Sequence, residues 1–184
     1  SSSRAGRNFA PVSVGHRELA DVLLPPFEMA LRDGARSVMN AYNDIDGVPV
    51  AADKTLLTGL LRDSWGFTGT VVSDYYAIGF LESLHHVAPN LGGAAALALE
   101  AGVDVELPNV NAYGGELVSL VASGEVDALV VERAVKRVLT QKCELGLLDP
   151  DWSPEPPVLQ HEAAFLDGGA ERDMARKLAE RSIV

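Results

Sequence analysis

The stretch "GFTGTVVSDYYAIGF", residues 66–80, decides how this chain folds. Its β-branched run, Thr70–Ser73, predicts a short strand that can be buried on both faces. The preceding segment, Asp53–Trp65, places leucines at helical spacing, and Gly66 ends that helix. A helix followed by a strand is one unit of an α/β fold, and this unit delivers a carboxylate, Asp74, at the end of its strand.

The same order of helix and strand occurs three times along the chain. Glycines end the helices, at Gly34, Gly66 and Gly102, and Pro25-Pro26 predict a kink or a restart in the first helix. The strands begin about 33 residues apart, which is the size of a βα unit, so they predict a parallel sheet with right-handed crossovers. The predicted helices are 17–33, 53–65 and 90–101, and the predicted strands are 36–42, 70–73 and 103–107.

After the third strand the pattern changes. Two helices, 112–123 and 127–146, are followed by the proline-rich stretch "LDPDWSPEPP", which is typical of a linker. We therefore predict an α/β part at 1–147, a linker at 148–162 and the start of a second domain at 163–184, which should be mostly one helix. A closed (β/α)8 barrel takes about 250 residues and eight strands, so this chain is expected to supply only part of one.

Composition excludes several classes of function. The chain of 184 residues is 47% hydrophobic and 22% charged, which is enough apolar material for a packed core. Its formal net charge of -11 repels phosphate backbones and anionic lipids, so we expect no nucleic-acid partner and no membrane partner. The single Cys143 cannot form an internal disulfide. A start without Met and an apolar end, Ser182–Val184, indicate a piece of a longer protein.

Polar residues follow each predicted strand. In parallel α/β folds the carboxyl ends of the strands carry ligands and catalytic groups, because the loops there vary over a rigid scaffold. A carboxylate at such an end, Asp74, has little rotamer freedom and suits a nucleophile; the alternative is that it caps the next helix. The strand-end candidates are Tyr42, Asn43, Asp74, Tyr75, Asp104 and Glu106.

Residues 37–78, "SVMNAYNDIDGVPVAADKTLLTGLLRDSWGFTGTVVSDYYAI", carry three motifs in order. These are M-x-x-Y-N-x-x-x-G-x-P, L-L-R-D-x-W-G-F and G-x-V-x-S-D-[WY], and together they resemble the family 3 glycoside hydrolases. The first domain of that family is a TIM-type barrel, followed by a linker and an αβα sandwich. The resemblance covers residues 1–150 as the C-terminal part of the barrel, and it implies a half barrel of about three parallel βα units.

The resemblance implies roles for four residues. Asp74 takes the position of the family's nucleophile, and Tyr42 that of a tyrosine that hydrogen-bonds it; a strand-end aromatic packed under a loop is the alternative for Tyr42. Arg7, in "GRN", resembles the arginine that binds the nucleophile and the sugar, and would keep the carboxylate ionised. Arg4 is an alternative for that role, and an exposed arginine with no role is another. Tyr75, the aromatic residue of the third motif, is expected to contact the substrate.

Two other polar pairs are interpreted as structural. Asp104 and Glu106 share one face of a strand and would suit an acid/base pair, but "AGVDVELP" is similar to a family segment that closes the barrel. His85 and His86 have no supporting acidic or Cys spacing, so we expect a solvated loop there rather than a metal site. No metal and no cofactor are expected.

The resemblance also implies that parts of the site lie outside this chain. A Lys-His pair that binds sugar is expected before Ser1, and the Glu that acts as acid/base is expected beyond Val184. A retaining mechanism needs two carboxyl groups about 5 to 5.5 Å apart, and this chain supplies one. We therefore expect the intact protein to be a retaining exo-acting β-glycosidase that forms a glycosyl-enzyme intermediate on Asp74, and the isolated chain to be inactive.

The expected substrate is a β-linked oligosaccharide, or an aryl or alkyl β-glycoside, from which glucose or xylose is removed. Both sugars stay open as alternatives, since the contacts to their outer hydroxyls belong mostly to segments outside the chain. A different hypothesis is a non-catalytic half barrel whose exposed sheet edges pair with another copy or with a complementary chain. A stable dimer in light scattering would favour that hypothesis.

Overall fold

The computed structural model of this chain describes residues 6–155 and 168–183. The chain divides into two compact units, Ser1–Leu145 and Gly146–Val184. The second unit contains the helix Gly169–Ser182. Of the helix predicted for this region, the first residues, 163–167, lie outside the described part of the chain.

Helices and short strands alternate along the first unit. Its helices are α1 (His16–Glu18), α2 (Pro25–Arg32), α3 (Phe80–Ser83), α4 (Leu91–Ala101), α5 (Gly115–Ser123) and α6 (Ala128–Glu144). Two further segments have the wider turns of a π-helix, Leu19–Leu23 and Thr55–Ser64, and Val50–Ala52 forms a 3-10 turn. The strands are β1 (Ser37–Met39), β2 (Asp44–Ile45), β3 (Val48–Pro49) and β4 (Thr70–Val72). Among the residues described, no helix has the length and apolar character needed to cross a membrane.

A parallel pair of strands carries the candidate site. β1 pairs with β4 in parallel, with Ser37 opposite Thr70 and Met39 opposite Val72. On the opposite edge of β4, Val105 forms a single parallel bridge with Val72. The α/β class and the parallel pairing of the first two predicted strands of the sheet are thereby confirmed.

The strand predicted over 103–107 is wrong in its length, because only one of its residues pairs with β4. Side chains form hydrogen bonds with the backbone N–H and carbonyl groups that would otherwise extend this pairing. The Val71 N–H donates to the Asp104 carboxylate at 2.8 Å. The Val103 carbonyl accepts the Tyr113 hydroxyl at 2.8 Å. A strand cannot continue where its partners are already bound by side chains.

Other predicted elements are shorter or interrupted. The helix predicted over 17–33 breaks and restarts at Pro25-Pro26, since proline lacks the N–H that would continue the hydrogen bonding. The strand predicted over 36–42 ends at Met39, because the chain then turns into an antiparallel hairpin of β2 and β3. The sequence predicts only a loop there, and it does not predict the single turn of α3.

The helices that agree best with the prediction have caps. The side chain of Asn90 accepts the Gly93 N–H at the start of α4, and the side chain of Asp127 accepts the Leu129 N–H at the start of α6. Gly102 ends α4 with a φ of 116°, a left-handed conformation that suits glycine. These helices therefore follow from local chemistry.

The core of the first unit surrounds β4. Val71, Ile78, Leu81 and Val103 are fully buried. α4 contributes small side chains to the same core, and these allow neighbouring segments to approach closely. The buried residues of α4 include Ala94, Ala95, Ala98 and Leu99.

A buried carboxylate ties three segments of this unit together. Asp104 accepts hydrogen bonds from Arg62 at 2.6 Å and from Arg137 at 2.9 Å. It also accepts the Val71 N–H of β4. Burial lowers the pKa of Arg62, and the charge of Asp104 opposes that shift. Arg62 lies on the second π-helical segment and Arg137 on α6. Through Asp104, both helices are therefore connected by hydrogen bonds to β4.

We expect Asp104→Asn to lower the free energy of unfolding by about 3 to 5 kcal/mol, because it leaves two guanidinium groups without their buried anionic partner. Urea denaturation followed by circular dichroism measures this change. The matched control is Glu100→Gln, which breaks the exposed Lys54–Glu100 pair and should cost less than about 1 kcal/mol. Equal costs for the two variants would contradict the structural role of Asp104.

Candidate active site

The Asp74 carboxylate lies at the carboxyl end of β4 and is half-buried. Its Oδ1 atom accepts the backbone N–H of Tyr75 at 2.8 Å, and its backbone carbonyl accepts the Ala77 N–H at 3.0 Å. The next helix, α3, has Gly79 as its N-cap, so the alternative of Asp74 as a helix cap is wrong. A carboxylate that is oriented and still partly exposed is suited to contact a ligand.

Hydrogen bonds fix the backbone on both sides of Asp74. Before it, the fully buried Ser73 donates its N–H to the Val105 carbonyl at 2.8 Å and accepts the Leu107 N–H on Oγ at 2.9 Å. After it, the Tyr76 N–H donates to the Leu107 carbonyl at 3.0 Å. The segment that contains Leu107 therefore anchors the turn that carries the carboxylate.

Tyr42 lies beside Asp74, and its hydroxyl interacts electrostatically with the Asp74 carboxylate. The Tyr42 ring also packs against Phe9, with ring centroids 4.9 Å apart, and against Phe80 at 5.5 Å. Burial first, and then the nearby Asp74 carboxylate, raise the pKa of Tyr42 to about 12. The hydroxyl therefore stays protonated at neutral pH.

The chain before α1 is attached to the hairpin of β2 and β3. Val12 pairs with Ile45, and its N–H donates to the Asp44 carbonyl at 3.1 Å. The Asp46 N–H donates to the Val12 carbonyl at 2.8 Å. This attachment brings Phe9 against the Tyr42 ring, although Phe9 is far from Tyr42 in the sequence.

Arg7 and Tyr75 are exposed in the structure. Arg7 lies two residues before Phe9, and thus close along the chain to a residue that contacts Tyr42. Tyr75 follows the carboxylate directly and exposes 53% of its surface. Their contacts with substrate stay predictions, and Arg4 lies outside the described residues.

The two adjacent histidines differ in their environments. His85 is half-buried, and its Nε2 atom lies 2.8 Å from the Tyr42 carbonyl. His86 is exposed, with a φ of 54°. Both histidines lie in a loop, as expected, and His85 additionally has a defined contact there. Within 6–155 and 168–183, no group of three or more His, Cys, Asp or Glu side chains is placed to hold a metal ion.

The other strand-end acids are structural, as the sequence indicates. Glu106 is buried, and its carboxylate accepts three consecutive backbone N–H groups at 2.8 to 2.9 Å, those of Asn111, Ala112 and Tyr113. α5 begins at Gly115 rather than at 112, after the turn whose N–H groups Glu106 binds. With Asp104 bound to two arginines, Asp74 is the strand-end acid that a ligand can reach.

Three residues around Tyr42 are missing from the sequence-based site, namely Phe9, Phe80 and His85. Phe80 ends the stretch quoted at 66–80, but nothing in that stretch indicates its contact with Tyr42. The three residues belong to no shared motif and to no common periodicity. Only the folded chain brings them together.

Comparison with known proteins identifies the family. Residues 1–141 match the family described as "Glycosyl hydrolase family 3 N terminal domain". The chain is 36% identical over 191 residues to a beta-xylosidase of Formosa agariphila, covering 99% of this chain and 26% of that protein. It is 34% identical over 183 residues to the periplasmic beta-glucosidase of Salmonella typhimurium, covering 97% of this chain and 23% of that protein. The chain therefore belongs to glycosyl hydrolase family 3, and it spans about a quarter of these curated relatives.

Solved structures show the same similarity. The beta-glucosidase of Listeria innocua aligns with a TM-score of 0.83 at 31% identity, over 96% of this chain and 24% of that chain. A beta-glucosidase of Erythrobacter marinus aligns with a TM-score of 0.76 at 44% identity, over 80% of this chain and 20% of that chain. The mixed α/β fold is therefore similar to the N-terminal barrel domain of this family.

The raised pKa of Tyr42 leads to a pH prediction. An unfolded tyrosine ionises near pH 10, so the stability that this site contributes is complete below about pH 10 and is lost as the pH rises toward about 12. Absorbance titration of the wild type against Tyr42→Phe should show one tyrosine that ionises near pH 12.

Asp74→Asn should lower the pKa of Tyr42 part of the way toward 10, since burial remains while the neighbouring charge is removed. Asp63→Asn, at an exposed position, is the matched control and should leave the titration unchanged. A wild-type Tyr42 that ionises near pH 10 would contradict its contact with Asp74.

Proposed function

We propose that the intact protein is a retaining exo-acting β-glycosidase and that Asp74 is its nucleophile. The observation that supports the proposal is the environment of the Asp74 carboxylate. It accepts the Tyr75 N–H, lies beside the Tyr42 hydroxyl and is still partly exposed. Asp104 and Glu106 have buried carboxylates that already accept several hydrogen bonds. Membership of the family supports a glycoside as the substrate.

The proposed reaction has two displacement steps. First, an Asp74 oxygen attacks the anomeric carbon of the terminal sugar while the bond from that carbon to the leaving oxygen breaks. A carboxylic acid expected outside this chain protonates the leaving oxygen, and the sugar stays on Asp74 as a glycosyl ester. Second, the acid/base residue, now a carboxylate, takes a proton from water. That water attacks the anomeric carbon and releases Asp74. Two inversions give net retention.

Two residues support the nucleophile in this proposal. The Tyr42 hydroxyl lies beside the Asp74 carboxylate, and we propose that it donates a hydrogen bond that limits the rotation of the carboxylate. Arg7 is proposed to bind the nucleophile and the sugar, where a guanidinium would favour the ionised carboxylate. Tyr75, exposed beside Asp74, is proposed to contact the substrate.

We infer that residues 1–147 form the C-terminal part of a TIM-type barrel, a half barrel with about three βα units. Residues 148–162 would be the linker and 163–184 the start of an αβα sandwich. The chain covers 26% of one relative and 23% of another, so the rest of the protein would supply the other strands and the acid/base residue.

The proposed substrate is terminal β-linked glucose or xylose on an oligosaccharide or on an aryl or alkyl group. The relatives support both sugars, since they include a beta-xylosidase and a beta-glucosidase. A solved Listeria innocua beta-glucosidase that aligns with this chain is in complex with glucose.

A 2-deoxy-2-fluoro β-glycosyl fluoride tests the nucleophile. Fluoride leaves without protonation, so the covalent intermediate can accumulate even where the acid/base residue is absent. We expect the mass of the chain to rise by one fluorosugar and peptide mapping to place it on Asp74. An aryl β-glycoside, whose turnover needs the second carboxyl group, should not be hydrolysed by the isolated chain.

Asp74→Asn should abolish labelling, whereas Asp63→Asn should label like the wild type. Label on another residue, or labelling of Asp74→Asn, would overturn the assignment of the nucleophile. Turnover of the aryl glycoside at ordinary glycosidase rates would overturn the claim that this chain lacks the acid/base residue.

A second candidate is association through an open sheet edge. Among the residues described, β1 pairs with β4 on one edge only, and Met39 of β1 is 50% exposed. An apolar cavity of about 440 Å³ lies between β1 and the helical segments, lined among others by Leu19, Leu23, Phe27, Leu57, Leu60 and Trp65. An unpaired strand edge beside apolar surface favours pairing with a second copy.

Light scattering separates the two candidates. A monomer is expected for a part of an enzyme, and a stable dimer would favour self-association. Met39→Lys, which places a charge on the open edge, should dissociate such a dimer. Glu100→Lys, at an exposed position of α4, is the control for the added charge.

A further inference from the structure

One short segment contacts Tyr42 at two points. Phe80, the first residue of α3, packs its ring against the Tyr42 ring at 5.5 Å. His85, just after α3, places Nε2 at 2.8 Å from the Tyr42 carbonyl. The two contacts are linked, because the backbone N–H of His85 donates to the backbone carbonyl of Phe80 at 2.8 Å. This segment also follows directly on the turn that carries Asp74, so it is connected to both Tyr42 and Asp74.

The contact defines the protonation of one ring nitrogen. A backbone carbonyl has only acceptor sites, so the hydrogen of this bond is on Nε2 of His85. The ring is half-buried, whereas the adjacent His86 is exposed. His85 therefore differs from its neighbour in having a defined partner within the candidate site.

The backbone of Tyr42 itself takes no part in strand pairing. Tyr42 lies between the end of β1 and the start of β2, and the backbones of Asn40 and Asn43 are hydrogen-bonded to other segments on either side of it. Packing against Phe9 and Phe80 restrains the ring but does not contact the backbone of Tyr42. A hydrogen bond to the carbonyl is directional and restrains the orientation of the residue as a whole.

We propose that His85 is a positioning residue, whose Nε2–H fixes the Tyr42 carbonyl so that the Tyr42 hydroxyl stays against the Asp74 carboxylate. The consequence for catalysis rests on the proposed function, whereas the geometry does not. Neither test below uses a glycoside, so a failure of this inference is distinguishable from a failure of the nucleophile assignment.

The first test exchanges the donor at position 85. His85→Met keeps a similar length and removes the N–H, while His85→Gln keeps an N–H at the same number of bonds from the backbone. In chains with 13C-labelled tyrosine, the Tyr42 signal, assigned with Tyr42→Phe, reports its ionised fraction. At pH 11, a hydroxyl with a pKa of 12 is about one tenth ionised, and one with a pKa of 10 about nine tenths.

We expect Tyr42 to be about one tenth ionised in the wild type and in His85→Gln, and at least about twofold more ionised in His85→Met. His86→Met and His86→Gln are the matched controls and should behave like the wild type. A folded His85→Met with the ionised fraction of the wild type would overturn the proposal. So would a folded His85→Gln that behaves like His85→Met.

The second test uses the wild-type chain and can overturn the proposal even if His85→Met does not fold. Nitrogen NMR of 15N-labelled histidine distinguishes the two ring nitrogens at neutral pH. We expect His85 to carry a hydrogen on Nε2. A His85 ring with its hydrogen on Nδ1 alone cannot donate to the Tyr42 carbonyl, and that result would overturn the proposal.

Discussion

The carboxylate of Asp104, buried between Arg62 and Arg137, is the contact on which the first unit depends. It also accepts the Val71 N–H and thereby attaches both arginine-bearing helices to β4. A buried charge is costly unless its partners are in place, so small displacements of these helices are disfavoured. The turn after β4 begins from a strand that is held on both sides, and Asp74 is in that turn.

Environment separates three acids that look alike in the sequence. The side chain of Asp104 is 1% exposed and saturated by two arginines and a backbone N–H. Glu106 is buried and accepts three backbone N–H groups, which shape the chain before α5. Asp74 remains partly exposed beside the neutral hydroxyl of Tyr42. Burial and partners, rather than residue type, distinguish the structural acids from the candidate nucleophile.

Much of the fold could be predicted because its signals are local. α4 and α6 have side-chain caps at their first turns, and the helix–strand spacing predicts the parallel pairing of β1 with β4. The third strand, the hairpin of β2 and β3 and the turn of α3 could not be predicted in the same way. The third strand is shortened because Asp104 and Tyr113 bind the backbone groups that would extend its pairing. Such competition between side chains and backbone depends on contacts across the fold.

The sequence by itself determined the family, the order of helices and strands, and the place of Asp74 at a strand end, because motifs and periodicity are carried by neighbouring residues. Only the tertiary structure decided what surrounds that carboxylate. It brings Tyr42 to Asp74, packs Phe9 and Phe80 on the Tyr42 ring and joins His85 to the Tyr42 carbonyl. These residues lie on separate segments, and hydrogen bonds and ring contacts act over a few ångströms, so their interactions arise only when the segments have packed together.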